Sequence, residues 1–172
     1  MINLQQQPIT LTLPQERVEQ TLDFIRQVVE NKKSHQVADK KFDLNNTSEG
    51  VNILGHLGEQ VVSQILDVPI DLELYEVRDT GIDTTYAGYS AQVKTSTLPK
   101  LIFNYPSHFK TDIAILVQYI GANKSKAHED PRFMLWGWID HDTFMQDHYT
   151  QNFGYGDRLV LDAVALKPLS FL

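Results

Sequence analysis

The stretch from residue 112 to residue 120 restricts the fold more than any other part of the sequence. Its centre, residues 113–117 with the sequence IAILV, is apolar without interruption, so a strand formed there needs cover on both faces. Two earlier segments carry apolar residues every three or four positions, which is the period of a helix. Together these patterns predict an α/β protein with a central sheet flanked by helices.

The helical patterns come before most of the strands. The first begins after Pro14, a residue favoured at a helix start, and is expected to end near Asn31. The second runs from about Ser48 to Asp67, and Pro69 ends it. Beyond it the apolar period changes to two. We predict strands at 72–77, 82–85, 89–95, 112–120, 132–139 and 159–161, a strand or extended arm at 9–13, a Pro-containing loop at 98–110, and a helix at 141–149 with Asp140 as its cap.

Length, charge and composition exclude several classes of protein. The 172 residues fit one domain, and a chain without cysteine has no disulfide or zinc-thiolate scaffold. No apolar run approaches about 18 residues and no signal peptide is visible, so we expect no membrane partner and a cytoplasmic location. The net charge of −7 argues against tight nonspecific binding of nucleic acid. A local basic surface would be needed instead, and the candidates are Lys32, Lys33, Lys40 and Lys41.

Four polar residues between positions 59 and 94 suggest chemistry. Gln92 and Lys94 are two apart on a predicted strand and therefore point to the same face. Asp83 precedes Gln92 by nine residues with a turn at Gly88 between them, so a hairpin would bring it alongside both. A helix packed on that face would supply Glu59. Hard oxygen ligands hold Mg²⁺, the metal activates a water, and a lysine stabilises negative charge, as phosphodiester hydrolysis requires.

The pattern Gly81-Ile82-Asp83, a hairpin, then Gln92-Val93-Lys94 resembles the PD-(D/E)XK nuclease superfamily, in the variant with Gln in place of the second acid. The helix around Glu59 resembles the first core helix of that superfamily, and the resemblance covers about residues 50–140. It implies a restriction-endonuclease-like core with a central, mixed sheet of four to five strands. We accordingly divide the single domain 1–172 into an N-terminal helical and loop extension (1–47), the nuclease-like core (48–140) and a C-terminal extension (141–172).

The resemblance also implies roles for individual residues. Asp83 and Gln92 would bind Mg²⁺ or Mn²⁺ with the carbonyl of Val93, Glu59 would assist from the helix, and Lys94 would position the attacking water. The expected activity is one-step hydrolysis of phosphodiester bonds in DNA by a homodimer, because two strands need two sites. The residues that could contact nucleic acid, besides the four lysines, are His56, Thr95 and Ser96.

Other interpretations of the same residues stay open. Glu59 could lie on the solvent face of its helix, Asp83 could be a turn residue, and Lys94 could be an edge-strand lysine. The Gln at position 92 and the acidic charge favour a non-catalytic nuclease-like domain that binds nucleic acid or protein. In a third alternative the motif is accidental, in an unrelated α/β enzyme or adaptor.

Two further groups have open roles. Tyr105, His108 and Lys110 could contact a nucleic-acid backbone or pack as a loop. Trp136 and Trp138 are two apart, so we expect them to share one strand face, where they would fill core space or form a dimer contact.

Overall fold

The computed structural model describes residues 8–34, 47–70 and 81–171. The helices are α1 (Gln15–Ser34), α2 (Thr47–Leu66) and α3 (His141–Asp147). The strands are β1 (Ile9–Thr12), β2 (Thr84–Tyr86), β3 (Tyr89–Ser96), β4 (Lys100–Phe103), β5 (Ile113–Tyr119), β6 (Arg132–Asp140), β7 (Tyr149–Asn152) and β8 (Asp157–Asp162). None of the described helices is long and apolar enough to cross a membrane.

Five of these strands form one mixed sheet in the order β1-β6-β5-β3-β2. Only β3 and β5 are parallel to each other, and the other neighbours are antiparallel. The apolar strand β5 lies at the centre with both faces covered. Ile113, Ile115 and Val117 belong to the core beneath α1 and α2, whereas Ala114 and Leu116 belong to a second core. The predicted α/β class is therefore confirmed, and the mixed sheet predicted to have four to five strands has five.

The second core lies under a second sheet that the sequence did not reveal. Its three strands have the order β4-β8-β7. The predicted loop 98–110 contains β4, and residues 149–152, predicted in part as the end of a helix, contain β7. Each of these strands has only four residues, which is too short for a period of two to stand out. In β4, Leu101 and Phe103 alternate into the core, but Pro99 and Pro106 flank them and favour a loop prediction.

The helix boundaries agree with the predictions within a few residues. α1 begins directly after Pro14 but continues to Ser34 rather than ending near Asn31, so Lys32 and Lys33 lie on a helix and not in a loop. Asp140 caps α3 as predicted, since its Oδ1 accepts a hydrogen bond from the Thr143 N–H at 2.8 Å. The predicted strand at 72–77 lies outside the described residues, and so do Lys40 and Lys41.

The expectation that Trp136 and Trp138 share a face is wrong. Trp138 lies in the core beneath α1 and α2, whereas Trp136 packs against the second core. The pairing of β6 with β5 shifts by one residue at this point, since Leu116 faces Gly137 and Val117 faces Leu135. Such a β-bulge leaves one residue unpaired and breaks the alternation of side chains.

Candidate functional site

A tight hairpin brings Asp83 to the middle of β3. β2 and β3 are joined by Ala87 and Gly88, both with positive φ (51° and 84°), as in the type I′ turn that suits the twist of a hairpin. The Asp83 N–H donates to the carbonyl of Ala91 at 3.0 Å, although Ala91 already pairs with Thr84. Asp83 and Thr84 therefore both lie opposite Ala91, which is the arrangement of a β-bulge.

The bulge directs the Asp83 side chain at the backbone of β3. Its Oδ2 accepts a hydrogen bond from the N–H of Val93 at 2.6 Å. The N–H and C=O of one strand residue point to the same edge, so the Val93 carbonyl also points to the Asp83 side of β3. A carboxylate and a backbone carbonyl thus lie along one edge of this strand, and both are hard oxygen donors.

Gln92 is almost completely buried, with 6% of its surface exposed. Its Oε1 accepts a hydrogen bond from the backbone N–H of Lys110 at 2.7 Å and lies 3.3 Å from the Thr111 hydroxyl. Because a backbone N–H can only donate, it is the carbonyl oxygen of the Gln92 amide that points to Lys110. The side chain therefore holds the segment that leads into β5.

Lys94 lies on the same face of β3 as Gln92. Its pairing partner Leu116 belongs to the second core, and its Nζ lies 4.9 Å from the centre of the Phe103 ring. This cation–π contact fixes the ammonium group above β4. The predicted common face of Gln92 and Lys94 is thus observed, and it is the face covered by the second sheet.

Thr95 and Ser96 both have structural contacts. Thr95 Oγ1 is 3.5 Å from the carbonyl of Gly55 in α2. Ser96 Oγ accepts a hydrogen bond from the Leu98 N–H at 3.0 Å and so stabilises the turn after β3. Their predicted contact with nucleic acid stays a prediction.

Glu59 approaches from the opposite side of the sheet. α2 packs against the Thr95 face of β3, so the expectation that this helix covers the face of Gln92 and Lys94 is wrong. Glu59 is not a solvent-facing residue, because only 19% of its side chain is exposed and its Oε2 lies 3.0 Å from His56 Nδ1. The described contacts join it to His56 and not to Gln92.

His56 is an internal residue. It is 5% exposed and stacks on Phe24 of α1 with ring centres 4.6 Å apart. The Glu59 carboxylate accepts from Nδ1, and the buried Nε2 has no hydrogen-bond partner. His56 therefore orients Glu59 from within the core between α1 and α2.

An open cleft that the sequence motifs did not indicate lies at the start of β5. It has a volume of about 550 Å³, and its lining includes Lys110, Asp112, Asp140 and His141. Hydrogen bonds from the backbone N–H and hydroxyl of Ser90 lower the pKa of Asp112. In the sequence these residues form two separate polar groups, one just before β5 and one at the end of β6. They line a common cleft only because β5 and β6 pair.

A second acid in the cleft is held ionised by a cation. Partial burial alone would raise the pKa of Asp140, but hydrogen bonds from Lys167 and Thr143 outweigh it and hold that pKa well below its usual range. Lys167 Nζ lies 2.8 Å from Asp140 Oδ2. Asp140 thus serves as a helix cap and ion-pair partner.

Comparison of the chain with protein-family models, with curated proteins and with solved structures found no match. In the described part of the chain, no three His, Asp or Glu side chains converge closely enough to form a metal site by themselves. The functional argument therefore rests on the residues of the β2–β3 hairpin and their contacts.

Proposed function

We propose that the protein is a Mg²⁺-dependent nuclease with a restriction-endonuclease-like core that hydrolyses phosphodiester bonds in DNA. One observation carries the proposal. The bulge at Asp83 directs its carboxylate to the edge of β3 at Val93, between the two residues, Gln92 and Lys94, that complete the sequence motif. Bulges are frequent next to active sites because they redirect a single side chain.

The donors along this edge suit Mg²⁺. Mg²⁺ prefers oxygen ligands and keeps several waters, and proteins commonly hold it with one or two carboxylates together with substrate phosphates. The Asp83 carboxylate and the Val93 carbonyl supply two oxygens of this type. Glu59 is a further carboxylate from the other face of the sheet, and Mn²⁺ would suit the same donors.

Asp83 and Lys94 would have separate roles in hydrolysis. A bound metal would polarise the phosphate and activate a water. Asp83 would fix the metal relative to β3, since a hydrogen bond to backbone restrains its carboxylate. Lys94 would orient the water and stabilise the negative charge that develops on the phosphate. Its contact with Phe103 would keep the ammonium group in place without neutralising it.

A cleavage assay tests this proposal. Supercoiled plasmid, linear duplex, single-stranded DNA and RNA are incubated with the protein and Mg²⁺ or Mn²⁺. Lys94→Met should lower the rate roughly 10²- to 10³-fold, as expected when a charged group that stabilises the transition state is lost. Lys126→Met is the matched control, because Lys126 is exposed and pairs only with Glu129 among the described contacts. No cleavage of any substrate, or cleavage that survives Lys94→Met, would refute the proposal.

One observation favours a second candidate, a non-catalytic nuclease-like domain that binds nucleic acid or protein. Gln92 is buried and its Oε1 points to the Lys110 N–H, a structural contact that accounts for the side chain without a metal. Calorimetric titration with Mg²⁺ and Mn²⁺ distinguishes the two candidates. Binding that Asp83→Ala abolishes supports the nuclease, whereas titration without heat from either metal supports the non-catalytic domain.

We also propose that the nuclease acts as a homodimer, because cutting both strands of a duplex requires two sites related by symmetry. Sedimentation velocity at several protein concentrations measures the oligomeric state. A species of twice 19.7 kDa is expected, and a monomer at all concentrations would contradict this part of the proposal.

A further inference from the structure

The contacts of Gln92 point to a role other than metal binding. A buried amide is costly unless it is hydrogen-bonded, and Gln92 satisfies this need with the N–H of Lys110 at 2.7 Å. The Thr111 hydroxyl lies 3.3 Å from the same oxygen but donates its proton over a shorter distance, 2.8 Å, to the carbonyl of Ile113, so the Lys110 N–H makes the main attachment. Gln92 therefore fixes the backbone position of Lys110 relative to β3.

The side chain of Lys110 extends from this fixed point across Gly81. A Cβ built on Gly81 would lie 3.3 Å from Lys110 Cδ and 4.0 Å from Lys110 Nζ. Gly81 also has φ of +76°, a conformation that favours glycine. Lys110 is exposed, and its side chain thus lies beside the chain two residues before Asp83, where a larger residue at position 81 would crowd its Cδ atom.

We propose that Lys110 binds a phosphate of the nucleic acid at the candidate site and that Gln92 is a positioning residue that acts through Lys110. This inference rests on the proposed function for the identity of the ligand. A chain with a net charge of −7 needs local cations where a polyanion approaches carboxylates. Lys110, on the segment that leads into β5, provides an exposed positive charge beside the segment that carries Asp83, and its backbone is anchored to the strand that carries Lys94.

Binding measured apart from cleavage tests the inference. Fluorescence anisotropy of labelled duplex and single-stranded oligonucleotides is recorded in EDTA, between 50 and 200 mM salt. Each phosphate contact contributes about 0.7–0.9 to the slope of log K against log salt. Lys110→Met should reduce the slope by about that amount, Lys110→Arg should preserve it, and the exposed control Lys126→Met should leave it unchanged.

Variants of Gln92 separate positioning from metal binding. Gln92→Met removes the acceptor for the Lys110 N–H and should reduce the salt slope as Lys110→Met does, while the double variant should be no worse than Lys110→Met alone. Gln92→Glu keeps an oxygen that accepts from the Lys110 N–H and should therefore keep the salt slope of the wild type. Thermal unfolding of each variant identifies any that fail to fold. Lys110→Met changes an exposed side chain, so we expect this variant to keep the packing of the core.

The outcomes distinguish this inference from the proposed function. Lys110-dependent binding without cleavage supports the inference and refutes the nuclease. Cleavage with a salt slope that Lys110→Met does not change refutes the inference and leaves the nuclease intact. A Mg²⁺ half-saturation concentration that rises in Gln92→Met and falls in Gln92→Glu would assign Gln92 to the metal and overturn its positioning role. If wild-type protein neither binds nor cuts nucleic acid, both are refuted.

Discussion

Two glycines of α2 should respond in opposite ways to the same substitution. A Cβ built on Gly55 meets no atom within 4 Å, whereas one built on Gly58 would overlap Thr95 Oγ1 and lie 3.1 Å from Thr95 Cβ. Both residues lie inside the helix, so alanine brings each the same gain in helix propensity, about 1 kcal/mol. The difference in the free energy of unfolding between the two variants therefore measures the cost of crowding the contact between α2 and β3.

The magnitude follows from these contacts. Gly55→Ala should raise the free energy of unfolding by about 1 kcal/mol. Gly58→Ala has the same gain but forces Thr95 or the helix to move, and overpacking of this kind costs roughly 1–3 kcal/mol. The net change for Gly58→Ala should lie between zero and a loss of about 2 kcal/mol, so the two variants should differ by roughly 1–3 kcal/mol.

Urea denaturation monitored by tryptophan fluorescence measures both values, and an unchanged m-value would show that the two-state comparison is valid. In a Thr95→Ala background the Oγ1 and Cγ2 atoms are gone, so Gly58→Ala should become less destabilising by about 1 kcal/mol or more. Equal stabilisation by Gly55→Ala and Gly58→Ala would refute the packing of α2 on β3 through Gly58. It would also refute the position of Glu59, the next residue along the helix.

Two further predictions concern polar contacts. Gln60 is completely buried, accepts from Arg17 at 2.9 Å and donates to Gln20 at 2.9 Å. Gln60→Leu removes these two hydrogen bonds, although Arg17 keeps its bond to Ser63, so the free energy of unfolding should fall by about 1–3 kcal/mol. Urea denaturation would measure this loss, and an unchanged stability would contradict the network. The lowered pKa of Asp140 means that its ionised form stabilises the fold above the unfolded pKa of 3.8 and that this contribution is lost as the pH falls below it. The Tm of the wild type should therefore exceed that of Asp140→Asn at pH 7 and converge with it toward pH 2, whereas a gap independent of pH would contradict the ion pair with Lys167.

The sequence predicted the elements whose pattern is long or continuous. The apolar run of β5 and the twenty-residue helix α2 depend on burial alone, and burial leaves a periodic pattern in the sequence. The hairpin that carries Asp83 was predictable for a local reason, since a turn at Gly88 fixes which residues of β2 and β3 lie side by side.

The rest depends on contacts between distant segments. Strand β4 is stabilised by pairing with β8, about sixty positions later in the chain, and four residues carry too little pattern to reveal this. Trp136 was misplaced because a bulge reverses the alternation of side chains. Gly137 has φ of +150°, and a Cβ there would overlap the carbonyl oxygen of Lys167, so the reason for the bulge lies in a segment thirty residues away.

At the candidate site, too, the local features were predictable from the sequence and the contacts between distant segments were not. Motif spacing correctly placed Gln92 and Lys94 on one face of β3, but it could not say what covers that face. The second sheet covers it, and so Gln92 faces Lys110 rather than Glu59. Glu59 belongs to the face of β3 on which α2 packs, whereas Asp83 lies at the edge of β3 beside Val93. A substitution that shifts α2, such as Gly58→Ala, should therefore alter any function that needs Glu59 while leaving the contact between Gln92 and Lys110 intact.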